Sequence, residues 1–240
     1  MHTTNPQHRK GERGNVLWFI LLAIALLAIL TIVLSRGGSS VDQSGDVEQQ
    51  RVRASEIMRY AKGIEVAVEQ MTLRGVSEND ISFAHGETPA TYTNNNCSDT
   101  GCLVFDAGGG GQNYMLPAGG ANDGSAWIFT GANNVGTAAN PVGTTAAISG
   151  NDLIMLLPNV TNSLCIQINR ELGVGTAGTI PTDATGIATT PYTGTFASGS
   201  PVIIDADPTP FELDGKRAGC FTDVNANPDV NYYYHVLLAR

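Results

Sequence analysis

Near the end of the chain, four oxygen-bearing side chains alternate: Asp223, Asn225, Asn227 and Asp229. This is the spacing with which a calcium loop presents hard oxygen donors to its ion. The stretch departs from the hand-type loop at the sixth position, Pro228 instead of glycine, and at the twelfth, Tyr234 instead of a chelating glutamate. A polar hairpin loop is the other reading, and calcium is the one cofactor the pattern admits. Cys97, Cys102, Cys165 and Cys220 form a second group. A four-cysteine zinc site would show two close pairs, and the later half of the chain has none. An even count in an oxidising compartment points instead to two disulfides. Of the three possible pairings, Cys97–Cys102 with Cys165–Cys220 is preferred. The first closes a small turn, and the second ties a short helix to the terminal strands.

Catalytic constellations are hard to place. The later histidines are His85 and His235, and His235 sits in a strand-like run between Tyr234 and Val236, where an ordinary imidazole is expected. No G-x-S-x-G elbow occurs, and Asp205 and Asp207 share a proline-rich turn without an evident partner. Gly108 to Gly111 are followed by Gln112-Asn113-Tyr114, so the Lys and Ser/Thr of a phosphate-cradling loop are missing. The expectation is not an enzyme. From Gly75 onward, fifteen Asp and Glu face four Lys and Arg, a balance that repels nucleic acid.

Asn15 to Ser35 must organise the rest. Its twenty-one residues carry no charge, and as a helix they would extend roughly 30 Å, the thickness of a bilayer's hydrocarbon core. Arg9, Lys10 and Arg13 precede it and Arg36 follows, so the N-terminus is expected in the cytoplasm and the bulk of the chain outside. The run is too long for the apolar core of an ordinary cleaved export signal. Residues 36–45, with Gly37-Gly38, predict a break or hinge, since each glycine costs about 1 kcal/mol in a helix. A helical period returns over 46–75, with Ala54, Ile57, Ala61, Ile64, Val68 and Met71 on one seam. Glu48, Arg51, Arg59, Lys62, Glu65 and Glu69 are assigned to the opposite face.

A basic leader (1–14) ending in Gly, a long uncharged helix, an amphipathic helix and a Gly/Thr-rich head together resemble type IV pilins and the pseudopilins of type II secretion. The resemblance implies a leader peptidase cutting on the cytoplasmic side after Gly14 or Gly11. It also implies a subunit held in the bacterial inner membrane, in contact with lipid and membrane assembly machinery. Such a subunit would then self-assemble with like subunits through its N-terminal helix into a cell-surface or secretion filament. Cleavage after Gly14 puts Phe19 at the fifth mature position, where the family carries a glutamate, and cleavage after Gly11 puts Val16 there. Some tip or minor subunits of the family lack that glutamate. The alternative is a single-pass anchor presenting a binding or adhesion domain.

The fold class is α+β: a membrane-spanning and amphipathic N-terminal helix, then an antiparallel-strand-rich head over 76–240. Strands are predicted at 81–84, 103–106, 126–130, 153–157, 201–205, 211–213, 218–222 and 232–238. A short helix over 164–172 stops at Gly173, and 173–200 reads as a surface loop.

Overall fold

The computed structural model describes residues 14–88, 90–137, 140–143, 150–197, 202–205 and 212–240. The chain divides into two compact units, Met1–Glu48 and Gln49–Arg240.

Helix α1 runs from Gly14 to Leu73. Within the first unit its apolar residues from Val16 to Val33 are all exposed, the large ones by 45–69%. The hydroxyl of Thr31 donates to the Leu27 carbonyl, so the one hydroxyl in this stretch is satisfied within the helix. Helical backbone continues through Gly37-Gly38, and the expected break is absent. Glycine keeps its N–H and carbonyl, so its helical cost is one of propensity that strong flanking segments override.

In the second unit, the stretch of α1 from Gln49 belongs with the head. Ala54, Ile57, Ala61, Ile64, Val68 and Met71 are at most 2% exposed, as spacings of three and four on one helical face require. The helix stops where Gly75 turns left-handed at φ 93° and the Val76 N–H reaches back 3.1 Å to the Met71 carbonyl, a glycine-dependent C-terminal stop.

Six strands follow: β1 (Ile128–Val135), β2 (Asp152–Pro158), β3 (Thr182–Asp183), β4 (Val202–Ile204), β5 (Ala218–Asp223) and β6 (Val230–Leu238), with helix α2 (Asn162–Leu172) between β2 and β3. They form one sheet in the order β3-β5-β6-β2-β1-β4. The β1–β2, β2–β6 and β5–β6 pairings are antiparallel, and the edge pairings β1–β4 and β3–β5 are parallel. The sheet is therefore mixed, and the fold is α+β.

Strand β2 is buried along its whole length, which explains why its sequence is a continuous apolar run rather than an alternation. Leu153, Met155 and Leu157 join α1 and α2 in one core, while Ile154 and Leu156 join Val174, Leu213, Phe221, Tyr234 and Val236 in a second. Both helices thus contribute to the first core, and coil segments cover the other face.

Three local expectations need correction. Residues 81–84 and 103–106 form only an isolated bridge, Ser82 with Leu103. Glu212 to Gly215 form a turn, not part of a strand, and Phe211 lies outside the described residues. The stretch from 173 is not a free surface loop: Val174 and Tyr192 are buried, Thr182–Asp183 pairs with β5, and the Tyr192 N–H bonds the Phe129 carbonyl at 2.8 Å. Its few apolar residues hold it down, a signal the surrounding Gly and Thr conceal.

Candidate functional site

Glu65 sits on α1, one residue past the seam position Ile64, and is buried instead of lying on the solvent face to which its period assigned it. The Nζ of Lys62, one helical turn earlier, donates to Oε2 at 2.7 Å, and Arg217 lies 3.3 Å from Oε1. From β6, Nε2 of His235 is 2.7 Å from Oε2 of the same carboxylate, and Nδ1 is 3.1 Å from the Tyr233 hydroxyl. Alternation along β6 puts Tyr233 and His235 on the face that α1 covers, which is how residues 170 apart in sequence meet.

The protonation states follow from this geometry. Burial alone would raise the Glu65 pKa, but hydrogen bonds from Lys62 and His235, with the Lys62 charge, outweigh it and hold the carboxyl below its ordinary value. An ionised carboxylate only accepts, so His235 Nε2 carries the proton, leaving Nδ1 to accept from the Tyr233 O–H. Burial lowers the His235 pKa, and the neighbouring Lys62 and Arg217 charges add to that against the pull of Glu65. Burial also pushes the Tyr233 phenol far above its usual range, so it stays a donor. The chain Glu65–His235–Tyr233 is thus a carboxylate, a neutral imidazole and a phenol with both imidazole nitrogens engaged. That arrangement pins helix to sheet.

A cleft of about 290 Å³ opens above it, lined by Lys62, Glu65, Leu172, Lys216, Arg217, Ala218 and His235. A second, of about 530 Å³, lies between α1 and the 112–118 segment. That segment is clipped in place: the Met115 N–H donates to the Tyr60 hydroxyl at 3.1 Å, and Trp127 Nε1 donates to the Met115 carbonyl at 3.0 Å.

The sequence-derived candidates are placed as follows. Cys97 is joined to Cys102 and Cys165 to Cys220, with Cα separations of 5.6 and 5.4 Å, and no described cysteine is free. Asp223 ends β5 and is buried, its Oδ1 accepting from the Asn225 N–H at 2.9 Å, whereas Asn225, Asn227 and Asp229 are exposed. Together they make the connection of the β5–β6 hairpin, with Asp223 buried and bonded within its own turn and the other three exposed. Among the described residues, no group of three or more His, Cys, Asp or Glu is positioned to hold a metal ion. His85 is exposed in a turn. Asp205 is buried, and its N–H lies 3.3 Å from Asp183 Oδ2. Gly14 begins α1, while Gly11 and Asp207 lie outside the described residues.

Within the described residues one helix is long and apolar enough to cross a membrane, Val16–Val33, with none of it buried. No protein-family profile, curated protein or solved structure matches this chain.

Proposed function

We propose that the chain is a membrane-anchored, pilin-like or pseudopilin-like structural subunit. Its N-terminal helix spans a bacterial inner membrane before assembly and packs against like subunits in a surface or secretion filament afterwards. One observation supports the reading most: α1 is a single helical element, uncharged and fully exposed from Val16 to Val33 and forming the head's core from Ala54 to Met71. An apolar surface of that size needs lipid or protein around it, since each large aliphatic side chain left in water forfeits about 1.5–3 kcal/mol. The head's role is then presentation, and the chemistry is assembly.

The test uses the full chain in the membranes of its own cells. With the native cysteines paired, a Leu22→Cys variant carries one free thiol on the apolar segment. Mild oxidation is expected to yield a disulfide-linked dimer, and a Thr176→Cys control on the exposed face of the head is expected to remain monomeric. A monomeric Leu22→Cys chain under the same oxidation contradicts self-assembly through the helix and leaves a solitary anchor presenting a binding or adhesion domain.

A further inference from the structure

The chain from Gly75 onward is strongly acidic, yet two of its four cations meet at one cleft. From Gly75 onward it has only Arg170, Lys216, Arg217 and Arg240, and two of these line the 290 Å³ cleft beside Lys62 from α1. The other two are committed elsewhere: Arg240 pairs with Glu78 at 2.9 Å, and Arg170 lies 3.4 Å from Gln167 on α2. Among the residues lining the cleft, Glu65 is the one carboxylate. Three cationic side chains therefore face one carboxylate, with the imidazole at the floor bonded to that carboxylate.

Hydrogen-bonding capacity is in similar surplus. A lysine ammonium has three N–H donors and a guanidinium five. Lys62 and Arg217 each reach one Glu65 oxygen, and Lys216 Nζ lies 3.4 Å from the Gly173 carbonyl at the end of α2. Lys62 and Arg217 keep 59% and 48% of their side-chain surface exposed, so their remaining donors stay within reach of a ligand. The buried Glu65–His235–Tyr233 chain fixes the floor and holds Lys62 and Arg217 in place before a ligand arrives. That reduces the ordering cost of binding. The cleft lies at the small end of ligand-site volumes.

We propose that this cleft binds a small, doubly charged oxyanion group: a sulfate, a phosphate or a compact dicarboxylate. Lys216 and Arg217 supply the charge-assisted bonds, Arg217 presents a planar fork suited to paired oxygens, and Lys62 closes the helix side. The positive cleft also draws such an anion through the repulsive field of the acidic head. This assignment concerns the head alone and stands whether or not the N-terminal helix assembles.

Sulfate is the probe, because its charge is constant across the working pH range. The full chain in detergent micelles is titrated with sodium sulfate at ionic strength matched by sodium chloride, following the melting temperature and the amide NMR shifts of residues 62, 173 and 216–218. The expected result is a saturable rise in melting temperature with shifts confined to the cleft. Lys216→Gln and Arg217→Gln should each raise the half-saturating concentration at least tenfold, and Arg170→Gln should leave it unchanged. Both cleft substitutions lie on solvent-accessible side chains, and a cooperative melting transition without sulfate, with amide shifts unchanged away from the cleft, confirms folding of each. A non-saturating response equal to that of chloride overturns the proposal. So does saturation that survives both cleft substitutions.

Discussion

Glu65 accepts from a lysine of its own helix, an arginine before β5 and a histidine on β6, and the titration of this group gives a first prediction. His235 has a folded pKa below its ordinary value, so the unfolded chain takes up a proton first as pH falls through about 6.5. The stability it contributes is complete above that pH and is lost on acidification. The depressed Glu65 carboxyl acts in the same direction at lower pH. Asp152 opposes both: burial pushes its carboxyl up to about 6, so it favours the fold below its unfolded pKa and loses that contribution as pH rises through about 6. The informative quantity is therefore wild type minus His235→Gln, in which Asp152 cancels. Urea unfolding of the full chain in micelles should give a flat difference above pH 7.5. Below pH 6.5 wild type should lose stability relative to the variant, by at most about 1.4 kcal/mol per pH unit. Parallel profiles would remove the neutral buried imidazole from the account. Little of this group could be read in the sequence. Helical period assigns Glu65 to the solvent face, and nothing local says that a histidine 170 residues away will meet it. The run Tyr233-Tyr234-His235 gives alternation without saying which face α1 covers.

Elements with a strong periodic or punctuated signal were legible, and those set by long-range pairing were not. The all-apolar core of β2, the seam of α1 and the stop of α2 at Gly173, left-handed at φ 63°, each follow from local pattern. The edge strands β3 and β4 are two and three residues long, too short to carry a period. The glycine run shows the same limit: a Cβ on Gly109 would lie 2.0 Å from the Leu103 carbonyl oxygen, and one on Gly110 2.5 Å from that of Val104. Those glycines permit close packing of backbone on backbone, where composition alone suggests a loose loop. Helix α2 is fastened to β5 twice, by Cys165–Cys220 and, one turn on, by Asn169, whose side-chain amide exchanges bonds of 2.7 and 2.8 Å with the Cys220 backbone. The two disulfides span sequence separations of 55 and 5. In the chain-entropy model, closing the longer loop is worth about 4 kcal/mol and the shorter about 2 kcal/mol. Replacing Cys165 and Cys220 together by alanine should therefore lower the urea midpoint of the head more than replacing Cys97 and Cys102. The reverse order would show that strain or residual structure, not loop closure, governs the difference.

At the scale of the whole molecule, α1 contributes to both units, apolar and exposed from Val16 to Val33 in the first and buried along one face in the second. The apolar length and the charges before it, Arg9, Lys10 and Arg13, can be read without a structure, because a span is expected to match bilayer thickness and its direction to follow the flanking charge. The proposed assembled role requires an exchange of surroundings. A filament core cannot bury three unpaired cations, since each costs several kcal/mol, so a subunit destined for assembly must lose them. A resident anchor needs the same charges to hold its N-terminus in the cytoplasm. The deciding measurement is the N-terminal residue of the chain extracted from its own membranes. The expected start is Asn15, directly after Gly14, or Glu12 after Gly11, with the apolar helix retained. An intact Met1 would contradict it in favour of a permanent anchor, and a start near Gly37 would reduce the helix to an export signal.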